Sequence, residues 1–563
     1  MNPLKLLAAM FFICCVGRVL FAAEQQPVRA GTESASTITS KVPASCVPTF
    51  HCLSLYWSPE TGEAAKKVLV KFRETTQKTW RDGLPMRYNP VKTSECKGDY
   101  RGSIVNLRPG ASYEISLTLE GTNVRTLTKA ATWSEKFPVA SVVKGENGVA
   151  TFPVNKSGTP EGYVLYDGSG CVIDTGNKSD VGILVEASYV ILRGFTIKNV
   201  KQHGIRIKSG HHIVIEDCDI SKWGSEEEKG FGFDYQGCVY SNKKDLRAVV
   251  IQRCKFHHPT WNTNSWAEEH NKNRHPAGPQ TIVFWESEGN HVIRYNECWS
   301  DADHYYNDVL GGGNNGSFRG FPGADSDIYC NYIANCWDDG IEAEGGSQNV
   351  RIWNNYIENT LMTIGNAPCS IGPLYIWRNV SGRSCSPTGS SWNMTHGHFC
   401  KMGYADNENW MTGHMYIFNN TIFQPKGEGA GGLGGDSRII KHCVSRNNIF
   451  HVRPGETHSI STGKNSVDND FDYDLLSAAR YPAGQEKHGI NGTPHYVPGA
   501  GFSFETKSGN FQLAPDSPGL HKGEVIPNFC GAADIGAHEA GTAPMVFGVK
   551  AEFLPAGSPK AVP

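Results

Sequence analysis

The residues with the most chemistry to offer are acidic and fall in two short stretches: Asp301, Asp303 and Asp308, then Asp338, Asp339, Glu342 and Glu344. Carboxylates held close repel one another, so one is pushed to keep its proton while a neighbour stays ionised, as a general acid beside a base or nucleophile requires. Glycosidic bonds are cleaved by such pairs, ~5–5.5 Å apart in retaining enzymes and ~6.5–9.5 Å apart in inverting ones. The spacing predicts Asp339 or Asp303 as the acid and Glu342 or Asp338 as base or nucleophile. Hydrolysis of this kind requires no cofactor. A ring of acidic oxygens also suits calcium, and Asp301, Asp303, Asp338 and Asp339 are the residues that would hold it. Rings and cations that fit the faces and edges of sugars stand nearby: Trp285, Trp299, His304, Tyr305, Tyr306, Arg319 and Trp337, with Glu344 as a further polar contact.

Stretches some thirty residues apart need a repeating scaffold to bring them together, and a repeat is present. Gly182-Ile183-Leu184-Val185-Glu186 returns as Gly204-Ile205-Arg206-Ile207-Lys208, Gly237-Cys238-Val239-Tyr240 and Gly340-Ile341-Glu342-Ala343-Glu344. A second apolar run follows each one, as at 189–200, 212–220, 248–256, 291–299, 349–359, 415–423 and 443–450. The Gly182 to Gly204 spacing matches one turn of a parallel β-helix, whose coils repeat every ~4.8 Å. Side chains alternate along a strand, so inward Ile341 and Ala343 imply outward Glu342 and Glu344, in a column with Arg206, Lys208, Val239, Val283 and Trp285. Asn296, Asn331, Asn355, Asn419 and Asn447 are predicted to stack as an internal amide ladder. Aligning Asn296 with Asn331 places Asp303 level with Asp338 and His304 level with Asp339. Long loops at 224–236, 259–278, 300–322 and 362–412 are predicted to wall a cleft, carrying Trp261, Trp266, Phe318, Phe321, Trp392 and Trp410.

The chain has 563 residues, 39% hydrophobic and 10% aromatic, with a formal charge of −3. That excludes a disordered chain and a general nucleic-acid binder. Its 62 glycines follow no Gly-X-Y period, so they indicate turns and not collagen. Residues 1–23 have the layout of a signal peptide, with Lys5, an apolar run from Leu6 to Val16 and Ala22-Ala23 at its end, and predict a secreted or periplasmic protein. No later stretch is apolar for long enough to span a membrane. Residues 24–44 read as a linker, 45–139 as a small β-sandwich of alternating strands, 140–541 as the solenoid and 542–563 as a tail. The fold class is all-β, and the chain is expected to act as a monomer on a polysaccharide. Of seventeen cysteines, Cys14 and Cys15 fall in the leader, and the remaining odd number leaves at least one thiol free. Cys46, Cys52 and Cys96 are the natural disulfide formers, while Cys218, Cys254, Cys298 and Cys330 read as small buried apolar residues.

Three segments resemble known families. Residues 45–139 resemble a fibronectin type III module, through Trp57 and Leu107-Arg108-Pro109-Gly110-Ala111-Ser112-Tyr113, which implies a β-sandwich spacer or binding module. Asp516-Ser517-Pro518-Gly519 and Ala533-Asp534-Ile535-Gly536-Ala537-His538-Glu539 are similar to the closing segment of secreted β-helix proteins of the pectin-lyase-like superfamily. That resemblance spans 140–541 and implies a right-handed parallel β-helix, but the superfamily holds lyases, hydrolases, epimerases, esterases and phage adhesins. Trp337-Asp338-Asp339-Gly340-Ile341-Glu342 is similar to the first catalytic segment of the polygalacturonase-type glycoside hydrolases. The paired aspartates of that family are replaced one coil later by Asn359-Thr360-Leu361-Met362-Thr363-Ile364, so the kinship is of fold and not of membership. The expected activity is hydrolysis of a polysaccharide. A calcium-assisted polysaccharide lyase or uronate epimerase is the alternative, with His304, Tyr305, Arg319, Lys401 or Arg438 as base or neutraliser; a non-catalytic glycan-binding adhesin is a further one. His257-His258 and His396-Gly397-His398 read as structural histidines.

Overall fold

The structure, a computed structural model, describes residues 38–92, 99–270, 272, 274–385, 397–403, 410, 412–434, 439–530 and 534–555. The leader, most of the linker, Cys96, Trp392, His396, Arg438 and the end of the tail lie outside the described residues. Among the described residues no helix is long and apolar enough to cross a membrane.

From Val139 onward the chain winds through three parallel sheets. Among the described residues sheet A has twelve strands, including Tyr163–Asp167, Val292–Arg294 and Val350–Trp353; sheet B has twelve, including Val172–Asp174 and Tyr332–Ala334; sheet C has eleven, including His203–Ser209, Gln280–Phe284 and Asp339–Glu342. β-branched residues suit this pleated surface. Ile183, Val185, Ile205 and Ile207 of sheet C meet Val190, Leu192, Ile213 and Ile215 of sheet A and Ile197 and Ile220 of sheet B in one continuous core. Cys218, Cys254 and Cys298 are buried in it as thiols.

The corner between sheets A and B carries the amide ladder. It runs Asn296, Asn331, Asn355, Asn379, Asn420, Asn448 and ends on Asp474, each Nδ2 donating to the next Oδ1 at 2.9–3.1 Å. Asn419 and Asn447 are not its rungs. Each has a left-handed backbone (φ 51 and 58) at the turn just before a rung, which aims its amide outward to the carbonyls of Asp534 and Glu524. Cys46 and Cys52 are both free, so no disulfide joins them. The segment 362–412 is not one loop, since it contains strands of all three sheets, Met362–Asn366, Leu374–Trp377, Val380–Ser381 and His398–Met402.

Two faces of this solenoid are covered. Ahead of it, a five-stranded sheet and a four-stranded antiparallel sheet enclose Leu55, Trp57, Phe72, Tyr100, Tyr113 and Leu117. Tyr113 is buried and its hydroxyl accepts the Arg108 N–H at 2.9 Å. This sandwich, through Phe50, Cys52 and Val105, packs with Phe529 and Cys530 on the outward residues of sheet A, including Val292, Trp353, Tyr375 and Trp377. Phe511, Ala537 and Phe547 of the C-terminal segment pack on Tyr332, Tyr356 and Val380 of sheet B. Sheet C is left to the loops.

Candidate active site

The outward column of sheet C is read directly from its register. Leu184 pairs with Arg206, Arg206 with Tyr240, Tyr240 with Val283, and Val283 with Gly311. Leu310 then faces Ile341, and the column goes on through Glu342, Gly365 and Lys401. Tyr240, not Val239, occupies it, because the strand Gly237–Ser241 turns Val239 into the core. Small residues bracket the acid. A Cβ at Gly311 would lie 2.9 Å from Glu342 Oε2, and one at Gly365 would overlap the Asp339 carboxylate.

Asp308, Asp339 and Glu342 each offer a carboxylate oxygen within 4.8 Å of the others. Asp308 sits just ahead of the strand Leu310–Gly311; its Oδ1 accepts the Asp339 N–H at 2.9 Å and its Oδ2 accepts Gln280 Nε2 at 3.2 Å. Lys401 donates to Asp339 at 2.6 Å and lies 3.0 Å from Glu344. The Asn315 amide bridges Glu342 at 3.0 Å and Glu344 at 2.6 Å. Asp308 and Asp339 are buried and Glu342 is half-buried.

Burial and crowding set the charges. The Asp308 carboxyl is pushed well up by burial and by the charges of Glu342, Asp338 and Asp339. Burial, then Glu344 and Asp339, raise Glu342. Burial also raises Asp339, against the pull of Lys401. Burial opposes the charge on Lys401, but Asp339 and Glu344 hold the ammonium above its ordinary range. Beside them Asp234, hydrogen-bonded by Asn307 at 2.8 Å, is pushed up to about 6 by burial. Tyr235 is raised by burial and by Asp234, Glu342 and Asp308, and its ring meets Trp285 edge-on at 4.8 Å. Tyr235 and Trp285 thus form an aromatic wall beside the acids.

The other sequence-predicted residues are distributed unevenly. Asp338 adjoins the cluster, 3.4 Å from His275. Asp303 is exposed, in the turn after sheet B, and not level with Asp338. Residues 300–305 loop out, Tyr306 pairs with Cys336, and Asp308, not His304, lies beside Asp339. Asp301 bonds His304 at 2.8 Å and faces His258. Of the four residues expected to hold calcium, only Asp339 joins the three-carboxylate set. Tyr306 is a core residue, its hydroxyl bonded to the Trp299 carbonyl at 2.6 Å, so it cannot meet a sugar. Trp299 stacks on His257 at 4.8 Å on the face of sheet B. Tyr305 and Trp337 stack at 4.5 Å and line a separate apolar patch with Trp266 and Met362. Arg319 reaches the Lys244 carbonyl at the loop edge. Sequence reasoning did not place Gln280, Asn315, Asp234 or Tyr235, which lie on loops or at strand starts where no repeat marks them.

Two buried oxygens, Asp339 Oδ1 and Gln280 Oε1, have no hydrogen-bond partner among the described residues. Three carboxyls and an amide oxygen form an all-oxygen donor set, which fits a hard divalent cation such as calcium.

A family model described as "Right handed beta helix region" matches residues 181–366, the stretch that contains Asp308, Asp339 and Glu342. Among solved structures, the crystal structure of pectate lyase Pel9A is similar at 14% identity, covering 71% of this chain and 86% of that chain with a TM-score of 0.35. No curated protein matches. The fold is a right-handed parallel β-helix preceded by a small β-sandwich.

Proposed function

We propose that this chain is an exported enzyme that cleaves a polysaccharide laid along the outer face of sheet C, by carboxyl acid/base hydrolysis of a glycosidic bond. One observation carries the reading: three crowded carboxyls, Asp308, Asp339 and Glu342, meet on the face that neither the sandwich nor the C-terminal segment covers. Glu342, raised by burial and by Glu344 and Asp339 and in no direct salt bridge among the described residues, serves as the acid. Asp339, which accepts from the Lys401 ammonium at 2.6 Å, acts as base or nucleophile. Tyr235 and Trp285 offer ring faces to sugar.

The unpartnered oxygens of Asp339 and Gln280 favour a second reading, elimination beside a uronate carboxylate. A calcium ion held by Asp308, Asp339, Glu342 and Gln280 would supply positive charge to bind that carboxylate and acidify the neighbouring proton. Lys401, held as an ammonium by Asp339 and Glu344, would then neutralise the uronate carboxylate.

A panel of neutral and acidic polysaccharides, followed for reducing ends and for absorbance of unsaturated products, separates the two. New reducing ends without unsaturation, unaffected by chelator, are the expected result. Unsaturated ends that vanish with chelator would replace hydrolysis by elimination. No cleavage of any glycan would point to adhesion.

A further inference from the structure

We propose that His414, His442 and Asp468 form a binding site for a divalent transition-metal ion of the zinc type, separate from the carboxylate cluster. The β-helix register assembles it. Met415 pairs with Cys443 and Val444 with Asp470, so His414 and His442, each just before a strand of sheet A, and Asp468, two residues before the next, stack on three successive coils. The two imidazoles stack at 4.9 Å, and His442 Nδ1 stands 2.6 Å from Asp468 Oδ2. One ligand atom from each residue lies within 4.8 Å of the other two. Tetrahedral ligands at zinc bond lengths of ~2.0–2.2 Å stand ~3.3 Å apart, so small side-chain rotations close the set and leave a fourth position for water.

Simple histidine–carboxylate pairs also occur here, as at His488–Asp472 and His495–Asp516, each with one imidazole. The corner at 414–468 differs by its second imidazole. Among the described residues no hydrogen bond reaches the ring nitrogens of His414. A neutral imidazole there would present its lone pair to the ion. Two nitrogens and one oxygen select zinc, copper or nickel over calcium, which takes oxygen. A bound ion would clip three coils together where the chain re-enters sheet A.

Cobalt(II) titration of the chelator-stripped full-length protein tests this, with zinc(II) as competitor. The expected result is one cobalt per chain with the visible absorption of a four-coordinate site, displaced by zinc and retained in an Asp308→Asn/Glu342→Gln variant. His442→Gln is expected to weaken binding at least roughly tenfold, and Asp468→Asn, at a side chain 72% exposed and harmless to folding, to do the same. No visible absorption, unchanged affinity in both site variants, or loss of binding in the Asp308/Glu342 variant would each overturn the proposal. Activity is not the readout, so failure here and failure of the polysaccharide reading are distinguishable.

Discussion

Asp339 and Glu342 share one short strand but meet different partners. Lys401 reaches Asp339 at 2.6 Å, whereas among the described residues Glu342 receives only the Asn315 amide at 3.0 Å and the Gly312 N–H at 3.3 Å. Glu342→Gln is therefore expected to lower kcat by about 10²–10⁴ while the fold stays intact, measured as turnover on whichever glycan the panel identifies. The same substitution should stabilise the protein. The folded-state pKa of Glu342 lies above its unfolded value, so its contribution to stability is fully present below that unfolded value, about 4.3, and is lost as pH rises through the folded pKa. Removing the charge should raise Tm at pH 8 in chelator by on the order of 1–3 °C, and much less at pH 4. An equal shift at both pH values would mean that Glu342 carries no strained charge.

The amide ladder is the element that holds the coils in register. The Asn331 N–H and Nδ2 both donate to Asn355 Oδ1, and Asn355 donates in turn to the Ile328 carbonyl and to Asn379. Asn355→Ala strands these buried groups and should cost about 2–4 kcal/mol in denaturant unfolding, from two or more unmet partners at about 1–3 kcal/mol each before relaxation. At its far end Asp474 meets Glu486, which accepts the Asp474 N–H at 3.3 Å. Burial is the main cause that raises both carboxyls, and the Asp474 charge adds to it for Glu486. Their stabilisation is thus present at low pH and lost as pH rises through the elevated values. Amide exchange in 475–491 should accelerate between pH 6 and 9 beyond its intrinsic rate, and Glu486→Gln should remove that excess; no excess in the wild type would sink the idea. The coils themselves were legible in the sequence, because alternation of Ile183, Val185, Ile205 and Ile207 is imposed by burial on one side. The one-residue placement of Asn419 and Asn447 was not, since a left-handed turn residue and a ladder rung are both commonly asparagine and two adjacent asparagines can fill either role. Asp303 was set level with Asp338 for a related reason: counting residues from the ladder assumes equal corners, and the loop at 300–305 breaks that assumption without any mark in composition. Glu342 was legible because strand alternation turns it outward between Ile341 and Ala343, and Asp339 because it stands in the same acidic run, whereas Asp308, Gln280 and Asn315 depend on loop lengths.

At the scale of the whole molecule, the sandwich and the solenoid are joined through a polar centre inside an apolar seam. Arg351 is fully buried on sheet A and pairs with the equally buried Asp327; its Nη1 donates to Ser54 Oγ at 2.6 Å and Ser103 Oγ at 3.1 Å in the sandwich. Arg294 likewise pairs with Glu135 at 2.6 Å. Around them Val292, Tyr329, Trp353, Tyr375 and Trp377 press against Phe50, Cys52 and Val105. Sheet A would expose a long aromatic surface if the sandwich came away, and such surfaces associate. Removing one member of a buried ion pair costs far more than the pair contributes, about 3–5 kcal/mol, because the remaining charge keeps its desolvation penalty. Arg351→Ala leaves Asp327 without its ion-pair partner beneath the sandwich and should therefore loosen the seam before it unfolds the coils. Limited proteolysis should cut the variant near residue 139 at protease levels that spare the wild type, and light scattering should show the freed solenoid associating. An Arg351→Met/Asp327→Leu double variant, which fills the space without charge, should recover most of the loss. If the single variant resists cleavage as well as the wild type does, the apolar contacts alone hold the two parts together and the ion pair is dispensable.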